Sequence, residues 1–118
     1  MWLTRPRLQV RLRTLVIFVA LAAVGLGSVL WMDRRASHFR RVAMDYRDMA
    51  KLDESQAVIE VGRAEVAGPD SSVAHLARSR RYAAIAAYRR MLQRRYEYAA
   101  AHPWFPIGPD PPVPEFPD

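Results

Sequence analysis

The sequence predicts an all-α protein: one N-terminal transmembrane helix, an antiparallel helical hairpin, and a proline-rich tail in irregular or polyproline II form. Three observations predict it. An uncharged apolar run extends from Leu15 to Met32. Two helix-forming stretches are separated by Gly68-Pro69. Seven of the nine prolines fall between positions 103 and 118.

The apolar run reads LVIFVALAAVGLGSVLWM, with Ser28 its one hydroxyl. As a helix it spans roughly 27 Å, close to the ~30 Å hydrocarbon core of a bilayer. Only a helix satisfies its own backbone groups there. We therefore assign residues 14–32 as a transmembrane helix after a basic leader, residues 1–13. Arg11 and Arg13 flank it on one side and Arg34 and Arg35 on the other, while Trp31 suits the headgroup interface. A cleaved signal peptide is the competing reading. Its apolar core is usually shorter, and the exit here (Val29, Leu30, Trp31, Met32) is bulky where a peptidase needs small residues. Arginine and lysine counts near the two ends nearly tie, so the positive-inside rule barely discriminates. The four arginines of the leader favour placing it inside, with the C-terminal region outside the cytoplasm and the anchor in the inner membrane.

Residues 33–68 form the next expected element, a juxtamembrane helix. Phe39, Val42, Tyr46 and Met49 share one face at helical spacing, and Leu52 and Ile59 continue it. No breaker separates Met32 from Gly62, so this helix is expected to continue the membrane segment. Gly62 weakens it and Gly68-Pro69 ends it. Asp70, Ser71 and Ser72 offer N-cap chemistry for a second helix, expected from about Val73 to Ala101 within the segment 69–102. Its apolar face reads Tyr82, Ile85, Tyr88, Leu92, Tyr96 and Ala99, and its many alanines favour helix.

Charge supports pairing of these two helices. The net charge is +6, but it is unevenly distributed. Between Asp45 and Asp70 there are seven acids and three bases, whereas residues 73–102 carry seven arginines against Glu97. Exposed ion pairs each contribute only ~0.3–1 kcal/mol, so apolar contact must supply most of the stability.

In the tail, residues 103–118, Pro103, Pro106, Pro109 and Pro112 recur at the threefold period of a polyproline II helix. Pro111, Pro114 and Pro117 form a second line. Three readings compete: a flexible spacer, a strap packed on the tyrosines of the second helix, and a ligand for an aromatic groove in another protein. Tyr88, Tyr96, Trp104 and Phe105 are the candidate docking residues.

The chain has 118 residues and no cysteine, which excludes disulfides, thiolate metal sites and cysteine nucleophiles. His38, His75 and His102 are isolated, and no P-loop, Gly-x-Ser-x-Gly or His-Glu-x-x-His pattern occurs. The adjacent Asp53-Glu54 reads as solvated charge. No catalytic set, cofactor site or metal site is expected. A structural or protein-interaction module is the leading expectation, with the lipid bilayer and an unidentified protein as partners. The alternative is a tethered binder of a polyanion (anionic lipid, an envelope polymer or nucleic acid) acting through Arg89, Arg90, Arg94 and Arg95. The anchor disfavours nucleic acid, and nothing in the sequence sets an oligomeric state.

Two segments carry a resemblance. Arg11-Leu12-Arg13-Thr14-Leu15 opens the apolar run, and Tyr96 precedes Pro103-Trp104-Phe105-Pro106 and Pro109-Asp110-Pro111-Pro112. Together they resemble a group of short bacterial single-pass membrane proteins. Those have an arginine-leucine-arginine-threonine-leucine anchor and a Pro-Trp-Leu-Pro…Pro-Asp-Pro-Pro tail. This chain has Phe105 in place of the leucine and Arg89 where the group has histidine after the tyrosine. The resemblance covers about a third of the chain. It implies a bacterial origin, an uncleaved anchor and a tail with a role of its own, but no activity, substrate or site.

Overall fold

The computed structural model describes residues 5–116. The first four residues of the leader, and Pro117 and Asp118 of the tail, lie outside the described residues. The structure is all-helical, with α1 at Arg5–Val66 and α2 at Pro69–Ala101. The chain divides into two compact units, Met1–Arg35 and Ala36–Asp118.

The first unit holds a helical stretch long and apolar enough to cross a membrane. None of that stretch is buried inside the protein, so its apolar side chains have no protein core to explain them. Thr14 and Ser28 donate their hydroxyls back to the carbonyls of Val10 and Val24, each at 2.8 Å. That satisfies them without water. The Arg35 guanidinium lies over the Trp31 ring at 5.1 Å from its centroid.

The second unit is the hairpin. Contacts between its helices run in opposite directions: Phe39 meets Tyr96, Asp53 meets Arg89, and Glu60 meets His75. The register follows from a seven-residue pattern that apolar counting overlooks. Ala36, Ala43, Ala50, Ala57 and Ala64 recur every seventh residue, interleaved with Phe39, Tyr46, Asp53 and Glu60. All nine are buried or half-buried. On α2 the matching line is Ser72, Ser79, Ala86, Gln93 and Ala100, interleaved with His75, Tyr82, Arg89 and Tyr96. Small residues along both helices permit close approach, and larger groups fill the space between them.

This seam corrects the expected face of α1. Phe39 and Tyr46 belong to it, but Met49, Leu52 and Ile59 are exposed, Leu52 at 65%. A two-helix unit buries only a narrow stripe on each helix, and here alanine occupies half of it. The α2 face holds better. Leu92, at 2% exposure, is the largest fully buried side chain among the described residues, and Ala99 is buried as well.

The turn also differs from expectation. α1 continues through Gly62 to Val66. α2 starts at Pro69, not Val73, with Gly68 at the N-cap and no side-chain cap. Proline at the first helical position has its φ preset and lacks an N–H that would need a partner. The Ser72 hydroxyl turns back to the Pro69 carbonyl at 2.8 Å instead of capping.

Candidate tail-docking groove

The most specific arrangement of side chains lies where the tail returns along α2. After Ala101 the chain turns, with the Phe105 amide donating to the His102 carbonyl at 3.0 Å. The tail then runs back beside the helix. Ile107 packs against a cluster of Phe39, Ala99 and Ala100, joined by Tyr96. The Arg95 guanidinium donates to the Gly108 carbonyl. The Tyr96 hydroxyl donates to the Asp110 carboxylate at 2.9 and 3.2 Å, and the Tyr88 hydroxyl donates to the Pro111 carbonyl at 2.6 Å.

The local sequence explains this geometry. Tyr88, Leu92, Arg95 and Ala99 recur at four- and three-residue steps, so they form one side of α2. Tyr96 lies at the seam edge, where it also meets Tyr46 in a stacked pair with centroids 5.7 Å apart. Pro111 and Pro114 are half-buried, whereas Pro106, Pro109 and Pro112 are exposed. Pro111 and Pro114 of the second line therefore face the helices, and Pro106, Pro109 and Pro112 of the first face water, while Pro103, at the turn, is half-buried. Trp104 and Phe105 are 62% and 56% exposed, and Ile107 is the side chain that enters the cluster. Trp104 meets the edge of His102, which itself stacks on Tyr98.

Burial raises the Tyr96 phenol, the adjacent Asp110 carboxylate raises it further, and together they push it up to about 12 from its ordinary 10.0. A tyrosinate there loses its donor hydrogen and repels Asp110. A group whose pKa is raised on folding favours the docked state fully below its unfolded value. That contribution disappears as pH rises through its folded value. The tail is therefore expected to stay docked below pH 10 and to release as pH climbs towards about 12. Trp104 fluorescence in a Trp2→Phe/Trp31→Phe background checks this. With Tyr96→Phe that step should be lost.

The arginines proposed for polyanion contact are not brought together as one free surface. Arg89 donates to Asp53 at 2.6 Å, and Arg90 grips Glu54 through two nitrogens, one at 2.8 Å. Arg95 holds the tail. Arg94 is exposed. Asp53-Glu54 is thus not solvated charge: adjacent acids on α1 clamp adjacent arginines on α2. The hydrogen bond from Arg90 lowers the Glu54 carboxyl, and Glu54 in turn raises Arg90. Nor is His75 isolated. Its Nδ1–H donates to Glu60 at 2.7 Å, and Arg63 adds a bond at 2.8 Å. Those partners, His75 first, lower the Glu60 carboxyl. Among the described residues no group of three or more His, Asp or Glu is placed to hold a metal ion.

No known protein family, curated protein or solved structure matches this chain.

Proposed function

We propose that the protein is a single-pass membrane-anchored interaction module without catalytic activity. The observation that carries this reading is the unburied apolar stretch of α1 between Arg13 and Arg34. A soluble protein exposing such a surface would aggregate. A bilayer covers it without further structure. The hairpin is the working part, held by a small-residue seam and cross-helix ion pairs and carrying its tail in a tyrosine-lined groove. Arg89, Arg90 and Arg95 already have partners within this unit, which favours the module over the polyanion binder. The anchor lies in the inner membrane of a bacterial cell, with the hairpin outside the cytoplasm, in keeping with the resemblance to short bacterial anchored proteins.

Alkaline extraction of membranes tests the anchor. The chain is expected to stay with the bilayer pellet. Arginine at the middle of the stretch opposes insertion by about 3 kcal/mol, so Leu21→Arg should move a large fraction to the supernatant. Release of the unmodified chain by alkali alone overturns the reading.

A further inference from the structure

The groove on α2 has the chemistry of a receptor for an extended proline-rich peptide. A polyproline II strand makes no internal hydrogen bonds, and proline has no N–H, so its carbonyls are what a partner must satisfy. Recognition of such strands uses aromatic or apolar walls and donors aimed at those carbonyls. Here the walls are Phe39, Ala99 and Ala100, with Tyr96 packed beside them. The donors are the Tyr88 hydroxyl on the Pro111 carbonyl and the Arg95 guanidinium on the Gly108 carbonyl. Tyr96 adds selectivity by reading the acid at position 110. Every one of these groups belongs to the hairpin and none to the tail. An incoming tail of the same sequence would therefore meet the same side chains. The peptide that fills the groove, Ile107 to Pro114, is joined to α2 only through a short turn, and no disulfide ties it down.

We propose that the groove also takes the tail of a second copy of this chain, so that two membrane-anchored copies exchange tails. The proposal deepens the interaction-module reading and rests on it, by naming the partner as a second copy. The argument for that occupant is identity of chemistry. The sequence seen to fit the groove is Ile107–Pro114, and each copy brings one. Exchange remakes the same contacts, so it is close to neutral in contact energy. The turn at His102–Phe105 is the hinge. A short tether gives the resident tail an effective concentration on the order of millimolar. Confinement of two copies to one membrane raises the local concentration of the competing tail towards that range.

Complementation tests this in the full-length protein. One tagged chain carries a disabled groove, Tyr88→Phe with Tyr96→Phe, and an intact tail. The other carries an intact groove and a disabled tail, Ile107→Ser with Asp110→Ala. Co-expressed and purified in detergent, the two should co-purify at least about tenfold more than either variant with itself. A synthetic peptide of residues 103–116 should displace that pairing. Complementary chains that stay helical by circular dichroism but fail to pair overturn the proposal. So does pairing that the peptide leaves untouched. If a variant fails to fold, a protease site inserted at Trp104-Phe105 in the unmodified chain replaces it. After cleavage a labelled peptide of residues 103–116 should bind saturably, and Tyr88→Phe should weaken it. No binding to the cleaved chain overturns the proposal, and so does binding that Tyr88→Phe leaves unchanged. All these readouts are taken in detergent, so they fail separately from the alkaline-extraction test of the anchor.

Discussion

Ala50→Leu is expected to destabilise the hairpin by about 3 kcal/mol. Ala50 has 0% exposure. It lies at the level where Arg89 crosses to Asp53, with an Arg89 nitrogen 3.4 Å from the Met49 carbonyl. A leucine adds three carbons where the helices approach through alanine. Either the helices part or Arg89 is pushed from its carboxylate. Parting spreads along the seam, because Ala43, Ala57 and Ala64 depend on the same approach. Swinging Arg89 away leaves Asp53 without its cation. Both routes cost more than the added methylenes return as apolar burial. Denaturant unfolding of the full chain in detergent, followed by tyrosine signals, measures the change. Ala87→Leu is the control: the residue is exposed on α2, and there the change should stay within about 0.5 kcal/mol.

The same alanines explain which parts of the fold were legible in the sequence. The apolar run, the Gly68-Pro69 break and the proline tail each announce themselves by composition. They gave the all-α class and the two helices. The α2 face was legible because Tyr82, Leu92 and Tyr96 are large. The α1 face was not, because hydrophobic counting rewards Leu52 and Ile59, and the helices instead meet through alanine. A seven-residue repeat of Ala36, Ala43, Ala50, Ala57 and Ala64 was present in the sequence, but only a search for small residues at that period finds it. Asp53 and Glu60 hid the seam further, since carboxylates in a buried line look like surface until their partners, Arg89 and His75, are located thirty-six and fifteen residues away. Tail docking was legible in part. Tyr88 and Tyr96 were identifiable as aromatic groups near a proline strand. Ile107, a single aliphatic among prolines, entered the core in place of the more conspicuous Trp104 and Phe105, because a strand turning back from α2 passes Phe39 and Ala99 only after it has cleared the turn.

Arg89 and Arg94 look alike in sequence, yet replacing Arg89 should cost far more stability than replacing Arg94. The Arg89 side chain is 31% exposed and that of Asp53 12%, and they meet at 2.6 Å across the seam. Hydrogen bonds to charged groups in such positions are worth ~1.5–3 kcal/mol. Arg89→Leu should therefore destabilise the hairpin by about 2 kcal/mol, chiefly by leaving the Asp53 carboxylate buried without a cation. Arg94→Gln, at an exposed position, should change stability by less than about 0.5 kcal/mol. Charge reversal separates pairing from simple loss of bulk. Asp53→Arg places two guanidiniums together and should be the worst of the single variants. Adding Arg89→Asp should recover about 1.5 kcal/mol of that loss, the coupling expected of neighbours in one ion pair. If instead the arginines of α2 serve as a ligand surface, Arg89→Leu and Arg94→Gln should weaken binding to anionic vesicles alike, and Asp53 should show no coupling to Arg89. The outcome turns on whether the acids of α1 follow the arginines of α2 as partners, and the two adjacent acids facing two adjacent arginines are the reason to expect that they do.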